Sequence, residues 1–189
     1  MTKDNYSIRD LAADLRRITS ETSDEHEILS RVRPLAQRAA LSRDSWLEKR
    51  FYAADPEQGF GLHMLHEEPD HSLAVFAVSW LPNRGAPPHN HGTWAVVGGV
   101  DGPEKNVFFE RVDDRGRPGY AELKKIGEKI FEFGDVLAMP TGGLHSIWNE
   151  TEAVTVSLHI YGKHLNCTGR SQFDLDKRTE TPFVVRIES

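Results

Sequence analysis

The chain has 189 residues with 38% hydrophobic and 28% charged side chains, an ordinary balance for one folded domain and not a disordered chain. Its formal net charge of −6 gives no general affinity for nucleic acid or anionic membrane. The single Cys167 excludes an internal disulfide, no run nears the roughly 20 apolar residues of a membrane span, and no apolar stretch follows a basic start; a cytoplasmic protein is expected.

Residues 7–52 read as helical. Ser7 or Asp10 caps a segment with Ile8, Leu11, Leu15 and Ile18 on one face. A second segment begins near Ser23 or Asp24 and carries Ile28, Leu29, Val32, Leu35, Ala36 and Ala39, with Pro34 expected to kink or bound it. Ser42 or Asp44 opens a third, short turn with Trp46 and Leu47.

From about residue 60 the pattern changes to short strands: 60–66, 72–80, 93–100, 105–112, 120–126, 129–133, 136–139, 144–149, 153–161 and 182–187. Turn residues such as Pro82-Asn83-Arg84-Gly85, Asp101-Gly102-Pro103 and Gly134-Asp135 separate them. Many short strands at regular spacing indicate an all-β sandwich or barrel. With no Gly/Ser-rich linker between the halves, a single domain over 1–189 is expected, residues 1–55 being helices packed on a barrel and C-terminal strand formed by 56–189.

Three histidines carry the chemistry. His89 and His91, in Pro87-Pro88-His89-Asn90-His91-Gly92-Thr93-Trp94, stand at i and i+2 and point to one side of an extended segment. His145 follows after Gly134-Asp135 and Pro140-Thr141-Gly142-Gly143, two sharp turns that aim it inward. Three imidazoles make a metal site with positions left open. Fe, Mn, Ni, Cu and Zn all accept such ligands.

The strand 154–161 alternates strictly: Val154, Val156, Leu158 and Ile160 against Thr155, Ser157, His159 and Tyr161. One face is apolar and packs on another layer. The other is a polar row; alternation alone would suit a solvent-exposed face, but beside the His145 segment it is expected inside the barrel, where a Ser-His-Tyr relay sets the histidine tautomer and aims the tyrosine hydroxyl.

These segments resemble the cupin superfamily, whose fold is a jelly-roll barrel. Gly134, Pro140, Gly142, His145 and Asn149 fit every fixed position of its second motif. Its first motif is met in part: His89, His91 and Gly102 fit, but Ala95 and Val96 stand where a glutamate is usual. Without that carboxylate a dication keeps its full charge and accepts an anionic ligand such as a thiolate. The resemblance, over roughly residues 60–175, is closest to the thiol dioxygenases of the cysteine dioxygenase family. It rests on Ser157-Leu158-His159-Ile160-Tyr161, on the spacing of Trp80 from His89, and on Thr93-Trp94-Ala95-Val96-Val97-Gly98, which is similar to the bacterial branch typified by 3-mercaptopropionate dioxygenase.

That resemblance implies Fe(II) on His89, His91 and His145, and a reaction adding both atoms of O2 to the sulfur of a small carboxylated thiol, with a sulfinate as product. Tyr161, His159 and Ser157 would be catalytic. Arg170, nine residues after Tyr161, would pair with the substrate carboxylate, as a planar guanidinium suits. In animal enzymes the carboxylate-binding arginine lies upstream; the gapless equivalent here is His63, which is expected at most to line the pocket. Val96 replaces the cysteine that crosslinks to the relay tyrosine there, so no thioether is expected. Substrate and O2 are the expected partners, with no nucleic acid or membrane, and the chain is expected as a monomer or homodimer. Two readings stay open beside this one: another metal-dependent cupin enzyme, and a non-catalytic small-molecule or metal-binding module.

The remaining candidates read as packing or surface. His63, His66 and His71 lie near Glu67 and Glu68 without a strong metal spacing; His26 and His164 are expected at the surface. Trp80, Trp94 and Trp148 are expected in the core or pocket wall, and Cys167 has no evident basic partner.

Overall fold

The computed structural model describes residues 5–188. Helix α1 (Ile8–Glu21) starts at a reciprocal cap. Asp10 N donates to Ser7 Oγ at 3.2 Å and Ser7 N donates to Asp10 Oδ2 at 3.0 Å. Helix α2 (Glu25–Leu41) starts at Asp24, whose Oδ1 accepts from Glu27 N at 2.9 Å. It continues through Pro34, where a boundary was one expectation, because Ala36, Ala39 and Ala40 beyond it are fully buried. Short 3-10 turns at 43–45 and 49–52 lead into the barrel.

Among the described residues eleven strands follow: β1 (Phe60–Glu67), β2 (Ala74–Trp80), β3 (Gly85–His89), β4 (Ala95–Asp101), β5 (Glu104–Arg111), β6 (Leu123–Phe131), β7 (Val136–Met139), β8 (Leu144–Trp148), β9 (Thr155–Tyr161), β10 (Ser171–Asp174) and β11 (Thr179–Pro182). They form two antiparallel sheets, ordered β1-β2-β9-β4-β7 and β11-β10-β3-β8-β5-β6. This is a mainly β, two-sheet jelly-roll architecture with an N-terminal helical layer, as expected.

The layers explain the composition of the strands. Outward-facing Val75, Ala77, Val96, Val156, Leu158 and Ile160 join Leu11, Leu15, Val32 and Ala36 of the helices in one apolar cluster. Inward-facing Phe60, Leu62, Phe76, Val78, Trp80, Ala95 and Tyr161 form a second cluster with Ile147 and Phe183. The first sheet is thus covered on both faces, and every residue of β2 and β9 is buried. Each fully buried aliphatic side chain contributes about 1.5–3 kcal/mol relative to exposure.

Several expectations are corrected. The two strands expected at 120–126 and 129–133 are one, β6, because Gly127 stays in the ladder opposite Phe108 and a bulge beside it absorbs the irregularity. Residues 183–187 form no strand; Phe183 and Val185 are buried from an irregular segment. Strand β3 has the composition of a turn, since its Gly85-Ala86-Pro87-Pro88-His89 run lacks two backbone donors. Strands β10 and β11 are polar, and burial alternates too weakly along them to give a period-two signal. Trp148 lies largely exposed on the outer face of β8 rather than in a pocket wall.

Candidate metal centre

Strands β3 and β8 pair at Gly85–Trp148 and Ala86–Ile147, then irregularly up to His89–His145. Pro87 and Pro88 occupy the irregularity, where their missing N–H groups cannot continue the ladder. The result sets His89 directly across from His145. Asn90 then fixes the chain end: Asn90 N donates to Ser171 O at 3.1 Å, and Ser171 N donates to Asn90 Oδ1 at 2.9 Å. Gly92 takes φ +65 at the following turn, where a Cβ would come within 2.9 Å of Thr168. Gly134, at φ +81, closes the turn before β7 with its N–H on Gly99 O at 2.9 Å.

His89, His91 and His145 therefore converge. Their exposures are 4%, 1% and 0%. Their candidate ligand nitrogens all lie within 4.8 Å of one another, and His91 Nε2 is 3.3 Å from His145 Nε2. This is the one such cluster of potential ligands among the described residues.

Tautomers follow from the partners. His89 Nδ1 donates to Pro87 O at 2.8 Å, and His145 Nδ1 donates to Asn106 Oδ1 at 2.8 Å. Both rings thus present an Nε2 lone pair to the centre, the state a metal requires. Burial, reinforced by the Arg170 charge, holds His89 down at about 3. Burial first, then the neighbouring imidazoles, pushes His91 and His145 well below the ordinary histidine range. Neutral, buried and convergent, the donor set fits a divalent cation.

Ala95, on the inner face of β4, stands opposite Tyr161 and fills the wall with no carboxylate. Val96 faces the helices instead. The lone Cys167 is exposed, so the chain has no thiol to crosslink with Tyr161. His164 Nδ1 is 3.9 Å from its sulfur but already accepts from Asn166 N at 3.2 Å.

The polar face of β9 enters the barrel beside the centre. Ser157 Oγ lies 2.8 Å from His159 Nε2, and His159 Nδ1 lies 2.6 Å from the Tyr161 hydroxyl. Trp80 Nε1 donates to Ser157 Oγ at 3.3 Å. The Tyr161 and His91 ring centroids are 5.1 Å apart. Burial holds His159 at about 3 and pushes the Tyr161 hydroxyl upward.

Arg170 precedes β10 and is 4% exposed. Its Nε donates to Phe183 O at 3.1 Å and its guanidinium sits 4.2 Å from the centre of the Phe183 ring. One buried terminal nitrogen has no hydrogen-bond partner. Burial lowers its pKa to about 10, so it stays a cation. An uncompensated buried cation is costly. Arg170 opens on a cavity shared with His89, His159 and Tyr161 and walled by Leu62, Val78, Ile147, Leu165 and Phe183.

His63 does not reach this cavity. Its Nε2 donates to Ala53 O at 2.8 Å and its ring packs on Phe51, on the other face of β1 from Leu62. The expectation that it lines the pocket is corrected: β1 pairs in register with β2 there, and alternation turns residue 63 away. His164 is buried against Phe76 rather than at the surface. His66 and His71 pair with Glu68 and Glu67, respectively, and His26 is exposed.

Asn106 and Asn90 went unnoticed in the sequence. Asn106 sits on β5, two residues from Glu104 and on the same inward face, and that spacing was the available signal. Asn149, the last residue of the second motif, is structural: its Nδ2 donates to Trp80 O at 3.0 Å and Ala153 O at 2.8 Å, tying the ends of β2 and β9 to β8.

No family profile matches the chain. Among solved structures it is similar to an oxalate oxidase bound to glycolate, at 16% identity and TM-score 0.44 over 56% of this chain and 52% of that one. It is similar to a DMSP lyase from Ruegeria pomeroyi, at 19% identity and TM-score 0.41 over 62% and 53%. It is also similar to a Cupin_2 domain of an XRE family transcriptional regulator from Enterobacter cloacae, at 11% identity and TM-score 0.39 over 55% and 96%. The chain spans about half the length of the oxalate oxidase. No chemistry carries over at this level of similarity. The fold and the site together define a jelly-roll barrel with a buried three-histidine centre suited to a metal.

Proposed function

We propose that this protein is an Fe(II)-dependent thiol dioxygenase that converts a small carboxylated thiol and O2 to a sulfinate. One observation carries the reading: the buried guanidinium of Arg170 has an unpaired nitrogen and opens on the same cavity as His89 and Tyr161. That cavity needs an anion at one end and offers a metal centre without a carboxylate ligand at the other.

Bound iron would supply open positions for thiolate and O2, and the path by which the thiolate's electrons reach oxygen. His89, His91 and His145 would hold it, His89 and His145 through the Nε2 that their Nδ1 bonds leave free. Their neutrality leaves the dication charge for a thiolate. Arg170 takes the carboxylate by a charge-assisted hydrogen bond. The apolar side chains of Leu62, Ile147 and Phe183 would pack against the intervening methylenes. Tyr161, held by His159 and Ser157, orients the reacting oxygen and offers it a proton.

Among the described residues lining the cavity there is no carboxylate to pair with an α-ammonium group. This favours a plain mercapto acid of the 3-mercaptopropionate type over cysteine. Among the described residues, no helix is long and apolar enough to cross a membrane.

The test is anaerobic reconstitution with Fe(II), then oxygen uptake and product mass spectrometry over a panel of thiols under 18O2. The expected product carries two labelled oxygens on sulfur, with turnover greatest for a short mercapto acid. Arg170 would equally hold a carboxylate that lacks sulfur. Uptake with such an acid, and no sulfinate from any thiol, would replace this reading with a different cupin oxidase.

A further inference from the structure

Strand β5 carries a second buried polar group, Glu104, at 4% exposure. Its carboxyl faces Trp80 from β2 and Thr155 and Ser157 from β9, with no charged partner among the described residues. Thr155 Oγ1 donates to Glu104 Oε1 at 3.5 Å. Ser157 is also the first member of the hydrogen-bonded row through His159 to Tyr161. The row therefore has one end at the cavity and the other at a buried carboxyl.

A neutral imidazole carries one N–H, so such a row has a direction. With Glu104 protonated, its O–H donates to Ser157 Oγ. Ser157 then donates to His159 Nε2, His159 Nδ1 donates to the Tyr161 oxygen, and the Tyr161 O–H is left to donate into the cavity. With Glu104 ionised, each bond reverses. Ser157 donates to the carboxylate, His159 Nε2 donates to Ser157, and the Tyr161 O–H donates to His159 Nδ1. The cavity then meets only a tyrosine lone pair.

We propose that Glu104 is the positioning residue that sets the direction of the Ser157–His159–Tyr161 row and holds its proton. One shift along the row links the two states. Tyr161 gives its proton to a group in the cavity and receives the His159 Nδ1 proton. His159 receives the Ser157 proton at Nε2, and Ser157 receives the Glu104 proton. One proton leaves at the cavity end, and one negative charge remains on Glu104. A proton taken up by Tyr161 from the cavity restores the row. Under the thiol dioxygenase reading, on which only this last assignment rests, the incoming thiol supplies it.

Burial raises the Glu104 carboxyl to about 8, and the polar groups of Ser157, Thr155 and Trp80 beside it oppose this more weakly. Both states are then accessible near neutral pH. The Trp80 indole N–H donates to Ser157 Oγ in either state and keeps the serine in place.

The direction can be read without turnover. The full chain, labelled with 15N-histidine and loaded with diamagnetic Zn(II), is titrated from about pH 6 to pH 9.5, bracketing the shifted carboxyl. His159 is assigned by its loss in His159→Gln. The expected result is an Nδ1–H tautomer at low pH that converts to Nε2–H with a midpoint near 8. Glu104→Gln, whose amide N–H donates to Ser157 at every pH, should hold Nδ1–H throughout. Ser157→Ala, which cuts the row, should also remove the pH response. A wild-type His159 with no tautomer change, or a Glu104→Gln protein that titrates like wild type, would overturn the proposal. In turnover, kcat should fall about tenfold per pH unit above the midpoint in wild type and stay flat in Glu104→Gln. Absence of sulfinate from every thiol would remove the dioxygenase reading and leave the tautomer result standing.

Discussion

Two groups of buried imidazoles share this barrel and are held in opposite ways. His89 and His145 donate Nδ1–H to oxygens that carry no proton, a backbone carbonyl and the Asn106 amide oxygen. His159 has a hydroxyl at each ring nitrogen, and a hydroxyl can donate or accept. The first arrangement locks a lone pair toward the centre. The second leaves a proton free to move. The same residue type is thus suited either to a fixed ligand role or to carrying a proton, and the partner's chemistry decides which.

The sharpest way to break the contrast is to remove a ligand. His145→Ala should abolish stoichiometric metal binding, seen as metal content by elemental analysis, and turnover with it. Tyr161→Phe should keep metal content and lower kcat by about 10²- to 10⁴-fold, the range for a lost positioned proton donor. If metal content collapsed in Tyr161→Phe, the row would belong to the metal's support and the contrast would be wrong. Arg170→Ala should raise KM for carboxylated thiols about tenfold or more, given about 1.5–3 kcal/mol for a hydrogen bond to a charged group, with little change for thiols lacking a carboxylate. Equal KM changes for both classes would remove Arg170 from the substrate. Asn106→Ala should weaken metal affinity about 10- to 100-fold, measured by competition with a chelator, because His145 loses the bond that fixes its tautomer.

Much of this was legible in the sequence because it depends on spacing. The i, i+2 histidines, the turns around Gly134 and Pro140, and the alternation from Val154 to Tyr161 each fix a side chain's direction locally. What sequence reading missed depends on pairing between distant strands. Strand β3 exists because β8 and β10 flank it, although its own Pro87 and Pro88 argue against a strand. His63 was placed by a gapless match, and the register of β1 with β2 turns it away. Glu104 and Asn106 share a strand with exposed Glu110, so polarity alone does not mark their face as buried. Only closure of the barrel brings them against Ser157 and His145.

The contrast also shapes stability against pH. In the metal-free protein His159 titrates at about 3 instead of its ordinary 6.5, so below 6.5 the unfolded chain binds a proton that the folded one refuses. Stability contributed by this imidazole is present above 6.5 and is lost as pH falls, and the ligand histidines act in the same direction. Glu104 has the opposite sign. Its folded carboxyl is raised from 4.5 to about 8, so between those values the folded state holds the extra proton and stability falls as pH rises. Below 6.5 several imidazoles outweigh one carboxyl. Above 6.5 the carboxyl acts alone, at up to about 1.4 kcal/mol per pH unit. Urea midpoints of the metal-free protein should therefore peak near neutrality and decline toward pH 8. Glu104→Gln should flatten that alkaline decline and leave the acid one. An unchanged alkaline slope in the variant would show that Glu104 is already ionised in the folded protein, and the His159 row would then have one fixed direction like the ligands beside it.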